Sequence, residues 1–194
     1  MLENLKKYHI ILASKSPRRR ELLQMLDVPF EVKTKDGIVE TYPSTLPAVE
    51  VAEYLSRLKG KAYAEDIRND EMVITADTVV VLDGRIFGKP KSEEDAVSML
   101  MTLQGKTHTV VTGVTITTRE KMESFSTLTE VTFAPLEEEE ARWYVEKYKP
   151  LDKAGAYGIQ EWIGCAAVAR IDGSFYNVMG LPVHHLYRRL KENF

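Results

Sequence analysis

Two short stretches of the sequence carry side chains that suit the chemistry of phosphate groups, and the first lies near the start of the chain. There an apolar run over residues 10–13 breaks at Ser14-Lys15-Ser16, and Pro17 and three arginines follow. Because Ser16 is a good N-cap and Pro17 fits the first helical position, the turn is predicted to present hydroxyls, an ammonium and free backbone N–H groups at the positive end of a helix. Such a turn binds anions, but an exposed basic turn partly compensated by Glu21 accounts for these residues equally well.

The second stretch, residues 71–90, reads as a pair of buried strands rich in β-branched residues, and Asp77 and Thr78 interrupt it. A carboxylate in so apolar a strand is costly to bury unless it is paired, hydrogen-bonded or bound to a cation, so the pattern favours a functional role for Asp77. Glu40 lies on an earlier loop, and Lys89 follows the predicted hairpin. Taken alone, each of these two is typical of an ordinary solvated side chain.

A basic turn, two carboxylates and several lysines together favour metal-assisted attack on a phosphate chain. In such sites Mg²⁺ is held by one or two carboxylates and by phosphate oxygens, while lysine and arginine neutralise the developing charge. The sequence contains none of the motifs GxxxxGK[ST], GxGxxG, HExxH or GxSxG that mark other phosphate-binding and hydrolytic sites. Its four histidines have no spacing typical of a zinc site.

Length and composition limit the class of protein. A chain of 194 residues suits one domain or two closely joined lobes, and a formal net charge of −3 argues against nucleic acid as a partner and favours a small anionic ligand. The single cysteine, Cys165, excludes an internal disulfide and is predicted to be a buried strand thiol, as in a protein of a reducing compartment. The apolar run before Lys15 is too short for a signal-peptide core or a membrane span, so we expect a cytoplasmic protein with no membrane partner.

The remaining pattern indicates where the other elements lie. It predicts, in chain order, a helix over residues 47–67 with Lys59 and Lys61 near its middle, a helix from Ser92, two long strands between residues 107 and 133, a helix from Glu137, a glycine-rich ordered loop over residues 149–164, a strand over residues 166–171 and a last helix from Pro182.

Five segments in this order resemble the signature segments of the Maf family of nucleoside triphosphate pyrophosphatases. They are LASKSPRRRELL, ITADTVVVLDGRIFGKP, TLQGKTHTVVTGV, PLDKAGAYGIQ and GSFYNVMGLPV, and the similarity runs from about Ile10 to Leu190. Within the family, the residues at Arg18, Thr78 and Gln160 resemble the branch that acts on dTTP and UTP. The sister branch, which favours 7-methyl-GTP, tends to carry Trp, Gln and Glu at these three positions.

The resemblance implies a fold and an activity. The fold is mixed α/β, a single domain over residues 1–194 with two lobes around an elongated twisted mixed sheet and a central cleft, similar to the inosine triphosphate pyrophosphatases. Family members are commonly homodimers. The implied activity is hydrolysis of dTTP and UTP between the α and β phosphates, giving the monophosphate and pyrophosphate, with Mg²⁺ or Mn²⁺ as cofactor.

The resemblance also implies roles for individual residues. Asp77 is the general base, and Glu40 joins it at the metal. Gln160 would read the base, because one glutamine amide can meet both the N3–H donor and the O4 acceptor of uracil or thymine. The residues implied in binding the substrate and stabilising phosphate charge are Ser14, Arg18, Lys61, Thr78, Lys89 and Gln160.

The chain departs from the family pattern at several positions. Lys15 and Glu161 stand where smaller residues are common, residues 32–40 are one residue longer than in some relatives, and the helix near Gly60 is one residue shorter. Two other functions fit the sequence. One is the same reaction on another base, such as that of 7-methyl-GTP, and the other is a nucleotide-binding regulator of septum formation without turnover.

Overall fold

The structure, a computed structural model, describes residues 2–194 and has a mixed α/β fold, which confirms the expected fold class. The strands are β1 (His9–Leu12), β2 (Glu31–Val32), β3 (Glu71–Leu82), β4 (Arg85–Phe87), β5 (Thr107–Thr117), β6 (Met122–Phe133) and β7 (Val168–Asp172). The helices are α1 (Pro17–Gln24), α2 (Val51–Ala64), α3 (Glu93–Leu103), α4 (Glu138–Tyr148), α5 (Trp162–Ala166), α6 (Phe175–Met179) and α7 (Val183–Asn193). Within residues 2–194, none of these helices has the length and apolar character needed to cross a membrane.

The strands form a mixed sheet. Hydrogen bonds join them in the order β2-β1-β3-β5-β6-β7, and β4 pairs with β3 beside this path. β1 runs parallel to β2 and β3, whereas β4 runs antiparallel to β3 and β7 antiparallel to β6. The chain divides into two compact units: the first holds the chain up to Asp77 with residues 112–127 and 180–194, and the second holds residues 78–111 and 128–179.

In the first unit, helix α2 lies close to the sheet because glycines keep side chains out of the contact. A Cβ at Gly113, on β5, would lie 2.3 Å from the backbone carbonyl carbon of Ala52, on α2. From the helix side, a Cβ at Gly60 would lie 2.9 Å from a threonine hydroxyl on β5. One hydrogen bond crosses this contact, in which the Thr75 hydroxyl donates to the Ser56 carbonyl over 2.7 Å. Gly60 weakens the helix by propensity, but the packing leaves no room for a larger residue.

The second unit is built on an apolar cluster to which β3, β6, α3 and α4 contribute. Leu100, Phe133 and Tyr144 are fully buried there. Helix α3 begins as the sequence predicts, because the Ser92 hydroxyl accepts a hydrogen bond from the Asp95 N–H over 3.1 Å. This cap satisfies one of the free N–H groups at the helix start.

Two tight turns join consecutive strands. Asp83 and Gly84 join β3 to β4, and both have positive φ, 51° and 75°. This conformation suits a two-residue hairpin, and an Asp-Gly pair adopts it readily. Thr118 and Lys121 close the turn between β5 and β6, where the Thr118 N–H donates to the Lys121 carbonyl over 2.8 Å.

The segment before β7 differs from its prediction. Cys165 is exposed and lies in α5, so the prediction of a buried strand thiol is wrong. The strand itself begins at Val168, two residues later than predicted. The physical reason is a tight backbone contact that hydropathy does not reveal: a Cβ at Gly164 would lie 1.8 Å from the Ile159 carbonyl oxygen, and this close turn starts a short helix.

We expect Gly113→Ala to lower the free energy of unfolding by about 1–3 kcal/mol, because the added methyl group would overlap the backbone of α2. Urea unfolding followed by circular dichroism measures this. The matched control is Gly88→Ala, since a Cβ at Gly88 would have no atom within 4 Å. Wild-type stability in Gly113→Ala would contradict the close approach of helix and strand.

Candidate active site

A lysine and two carboxylates form the centre of the candidate site in the first unit. The Lys59 ammonium lies 2.6 Å from Asp77 Oδ1 and 2.9 Å from Glu40 Oε2. The side chains of Lys59 and Asp77 are only 15% and 16% exposed, whereas that of Glu40 is half exposed. The two carboxylates predicted from the sequence therefore lie close together, and the Lys59 ammonium bridges them.

Strand alternation and the glycine contact place Asp77 and Lys59 together. Side chains two residues apart in a strand point to the same face, so Asp77 shares a face of β3 with Thr75. Thr75 contacts α2 on that face, through its hydrogen bond to Ser56. Lys59 neighbours Gly60, where the helix comes nearest the strands. The ammonium thus reaches a carboxylate that an ordinary helix-to-sheet separation would keep further away.

The same helix holds the loop that carries Glu40. The Tyr63 hydroxyl accepts from the Lys35 N–H over 2.8 Å and donates to the Lys33 carbonyl over 3.1 Å. The Lys35 ammonium donates to the Ala62 carbonyl over 2.8 Å. Although the loop lacks regular structure, its backbone is fixed to α2 a few residues before Glu40.

The predicted phosphate-binding turn has the expected local structure. The Ser16 hydroxyl caps α1 by accepting from the Arg19 N–H over 3.4 Å, and Pro17 is the first residue of the helix. Ser14, which is nearly buried, accepts from the Ser16 N–H over 3.2 Å, so its hydroxyl shapes the turn. The Lys15 ammonium pairs with Asp36 over 2.8 Å, and this contact raises the pKa of Lys15. Lys15 therefore extends toward the loop of Glu40.

Arg19 joins this turn to the strand of Asp77. Its Nη1 donates to the Ala76 carbonyl over 3.0 Å, and its Nε donates to the Gly180 carbonyl over 2.8 Å. Burial lowers the pKa of Arg19, while the nearby Asp77 carboxylate acts in the opposite direction. One guanidinium thus fixes the backbone directly before Asp77. Arg18, the preceding residue and a predicted substrate ligand, is half-buried at the start of α1.

The sequence indicated Lys61 as the helix lysine that binds the phosphates, which stays a prediction, and it did not mark Lys59 as a residue of the site. Lys61 lies two residues further along α2 and is exposed, whereas Lys59 makes ion pairs to both Asp77 and Glu40. The one-residue difference in helix length near Gly60 affects the alignment of Lys61 with the family, but it does not single out Lys59. Arg19 and Tyr63 were also missed, because their roles depend on backbone carbonyls and N–H groups that no sequence motif marks.

The remaining predicted residues lie in the second unit. Thr78 directly follows Asp77 on β3 and is half-buried, whereas Lys89 and Gln160 are exposed. The loop that ends at Gln160 is joined to the turn before Lys89, since the Gly155 N–H donates to the Gly88 carbonyl over 3.0 Å. The structure thus fixes the backbone near both side chains, and their contacts with a substrate stay predictions.

The two carboxylates of the first unit fit a divalent cation. Residues 2–194 contain no cluster of three or more His, Cys, Asp or Glu side chains that could hold a metal ion by themselves. Mg²⁺ does not require one, because it is commonly bound by one or two carboxylates together with substrate phosphates and water. Asp77 and Glu40 both reach the same ammonium, so they are close enough to contact one cation.

A buried histidine supports the loop of Gln160 from the second unit. His108 Nε2 lies 2.7 Å from the hydroxyl of Tyr157, and both side chains are almost completely buried. Phe133 packs edge-on against each of these two rings. Burial lowers the pKa of His108 to about 4, so the imidazole is neutral at ordinary pH.

Comparisons with known proteins find similar proteins over almost the whole chain. Residues 9–193 match the family described as Maf-like protein. A protein of Phocaeicola vulgatus named dTTP/UTP pyrophosphatase is 58% identical over 192 residues, which cover 99% of this chain and 100% of that protein. One of the same name from Porphyromonas gingivalis is 55% identical over 194 residues, covering 99% and 98%. A solved structure of the Staphylococcus aureus Ham1 protein covers 65% of this chain and 72% of that one, with 18% identity and a TM-score of 0.48.

We expect acid to weaken the folded protein through His108. Its pKa is about 4 when folded and about 6.5 when unfolded, so the unfolded state binds the proton more readily between these values, and stability falls as pH drops through this window. The loss should be on the order of 3 kcal/mol between pH 7 and pH 4. Urea unfolding at several pH values measures it. His108→Gln should remove this part of the pH dependence. His184→Gln, at an exposed position, is the control and should keep it. Equal slopes of the unfolding free energy against pH in both variants would contradict the assignment to His108.

Proposed function

The chain belongs to the Maf-like protein family, and we propose that it hydrolyses dTTP and UTP to the monophosphate and pyrophosphate. The names of relatives with 58% and 55% identity over nearly the whole chain support this substrate choice. The observation that best supports this reaction is that a basic turn at the start of a helix contacts the strand of a carboxylate that is paired with a second one. Arg19 of that turn holds the backbone beside Asp77, and Asp77 shares Lys59 with Glu40.

The reaction needs a water molecule to attack the α-phosphorus. Asp77 accepts the proton of this water as the new P–O bond forms, and the bond between the α-phosphorus and the bridging oxygen breaks, so that pyrophosphate leaves. Lys59 donates to Oδ1 of Asp77, and we assign the proton to the other oxygen. Arg18 and the N-terminal N–H groups of α1 supply positive charge to the phosphates.

A divalent cation would be held by Asp77 and Glu40, which both form ion pairs with the Lys59 ammonium. When bound, it supplies positive charge to the phosphate oxygens. The chain's own contribution is to hold these two carboxylates close together. Lys59 does this without substrate, since a cation between two acids offsets their repulsion.

Base recognition is assigned to Gln160, with Thr78 and Arg18 contributing to substrate choice. The amide oxygen of Gln160 can accept from the N3–H of uracil or thymine while its NH₂ donates to O4. Glutamate at this position could not donate to O4 unless protonated. The exposed place of Gln160 at the end of an ordered loop suits a side chain that meets a ligand.

The reaction is tested by incubating the purified protein and its Asp77→Asn variant with Mg²⁺ and a panel of canonical and modified nucleoside triphosphates, including 7-methyl-GTP. We expect monophosphate and pyrophosphate from dTTP and UTP, resolved by chromatography, with a loss in the variant of about 10²-fold or more. Diphosphate plus phosphate would show cleavage at the wrong bond. Nucleotide binding without turnover in both proteins would instead support a regulator.

The two helix lysines give a matched pair of variants. We expect Lys59→Met to lower kcat by about 10²-fold, because Asp77 and Glu40 lose the ammonium that they share. Lys61→Met removes the same group from an exposed position of the same helix and should change kcat by less than about threefold. Steady-state hydrolysis of UTP measures both, and circular dichroism checks the fold. A larger loss of kcat in Lys61→Met than in Lys59→Met would show that Lys61, and not Lys59, is the lysine that the reaction needs.

A further inference from the structure

The Lys59 ammonium holds the two carboxylate oxygens that a metal ion at this site would need. Its Nζ lies 2.6 Å from Asp77 Oδ1 and 2.9 Å from Glu40 Oε2. Because Mg²⁺ contacts carboxylate oxygens at about 2.1 Å, an ion on either of these oxygens would lie within about 5 Å of the ammonium nitrogen. The two cations would therefore share the same oxygens and repel each other at short range.

The charge of these three side chains opposes a metal ion that comes alone. By formal charge, two carboxylates and one ammonium carry a single net negative charge, whereas the carboxylates by themselves carry two. Lys59 and Asp77 are only 15% and 16% exposed, so water screens their charges weakly. Lys59 thus removes much of the attraction for a divalent ion, whichever oxygen of each carboxylate the ion contacts.

The position of α2 leaves the Lys59 side chain as the part that can move. At Gly60, the next residue, an added Cβ would lie 2.9 Å from the Thr117 hydroxyl on β5, so the helix is in close contact with the sheet there. The hydrogen bond from Thr75 to the Ser56 carbonyl joins the helix to β3 as well. A lysine has a flexible four-carbon stem. Lys59 therefore leaves the carboxylates by a change of side-chain conformation, without a shift of α2.

A displaced ammonium needs another anion. Burial of an unpaired charge is costly, and a metal ion that takes Asp77 and Glu40 deprives Lys59 of these two partners. A metal ion by itself supplies no anion in exchange. A nucleoside triphosphate supplies phosphate oxygens, which pair strongly with an ammonium. The exchange of partners is therefore favourable when the metal ion and the phosphates are present together.

We propose that Lys59 keeps divalent metal ions off Asp77 and Glu40 until a nucleoside triphosphate binds, and that its ammonium then moves to the phosphates. This inference rests on the proposed function for the identity of the nucleotide. It makes the binding of metal and nucleotide cooperative, because the metal ion takes the carboxylates that the ammonium leaves and the phosphates take the ammonium. The protein without nucleotide then holds little metal.

The test is the affinity for Mn²⁺ without nucleotide, measured from the EPR signal of unbound Mn²⁺ as the purified protein is titrated. We expect weak binding by the wild type and binding at least about tenfold tighter by Lys59→Met, because the repelling charge is gone. Lys61→Met is the matched control, since it removes the same group from an exposed position of the same helix, and it should bind Mn²⁺ as the wild type does. Equal affinities of Lys59→Met and the wild type would overturn the inference.

Two further substitutions of Lys59 separate its charge from its size. Lys59→Gln is neutral and should also tighten Mn²⁺ binding, and it carries the test if Lys59→Met does not fold. Lys59→Arg keeps the positive charge and should bind Mn²⁺ weakly; tight binding by this variant would contradict the role of the charge. Addition of Asp77→Asn to the neutral variant should abolish the gain in affinity. A gain that persists would place the metal ion elsewhere and overturn the inference.

The part played by the nucleotide is tested with a UTP analogue in which a methylene group replaces the oxygen between the α and β phosphates, so that this bond is not hydrolysed. After correction for Mn²⁺ held by the analogue in solution, the analogue should raise the Mn²⁺ affinity of the wild type by a larger factor than that of Lys59→Met. The reason is that only the wild type has the ammonium that must move. Equal factors in the two proteins would overturn the cooperative role of Lys59.

Failure of the proposed function gives a different result. If the wild type releases no pyrophosphate from UTP while Lys59→Met still binds Mn²⁺ more tightly, the proposed reaction is wrong and the effect of Lys59 on metal binding is supported. If UTP is cleaved as proposed while Lys59→Met and Lys59→Gln bind Mn²⁺ as the wild type does, only the role of Lys59 is overturned.

Discussion

The sharing of Lys59 by Asp77 and Glu40 is the interaction on which the candidate site depends. Two carboxylates that lie this close together repel each other. An ammonium between them offsets the repulsion, and it does so effectively because Lys59 and Asp77 are largely shielded from water. Removing Lys59 or Asp77 would leave the charge of the other in a poorly solvated place. The neighbouring helix, strand and loop of the first unit are accordingly fixed to one another around these groups.

Helix α2 organises that support, and its distance from the sheet is the constraint that makes it work. Gly113 and Gly60 allow an approach that side chains would prevent. From this position the helix supplies Lys59, and one turn later it supplies Tyr63, which fixes the loop leading to Glu40. One element therefore sets the positions of both carboxylates relative to the lysine, although the carboxylates come from a strand and a loop far apart in sequence.

Features that depend on local chemistry could be predicted from the sequence. The cap at Ser16, the turn at Asp83-Gly84 and the unusual place of Asp77 in a strand each follow from a few neighbouring residues. The choice between Lys59 and Lys61 could not be made in this way, because two residues in a helix differ by about 200° in direction and only the tertiary contact decides which side faces the strand. Cys165 was placed wrongly for a related reason, since a backbone contact at Gly164 overrides the apolar pattern.

The arginines at the start of α1 show that a basic cluster can have a structural role as well as a role in binding an anion. Positive side chains oppose the helix dipole there, which suggests a bound anion as the compensating charge. Arg19, however, directs its guanidinium to the carbonyls of Ala76 and Gly180, and its attraction to Asp77 provides compensation within the protein. The turn is thus fastened to the strand that carries Asp77. One guanidinium therefore connects the capped turn of α1 to the backbone directly before Asp77, and it does so through contacts within the protein.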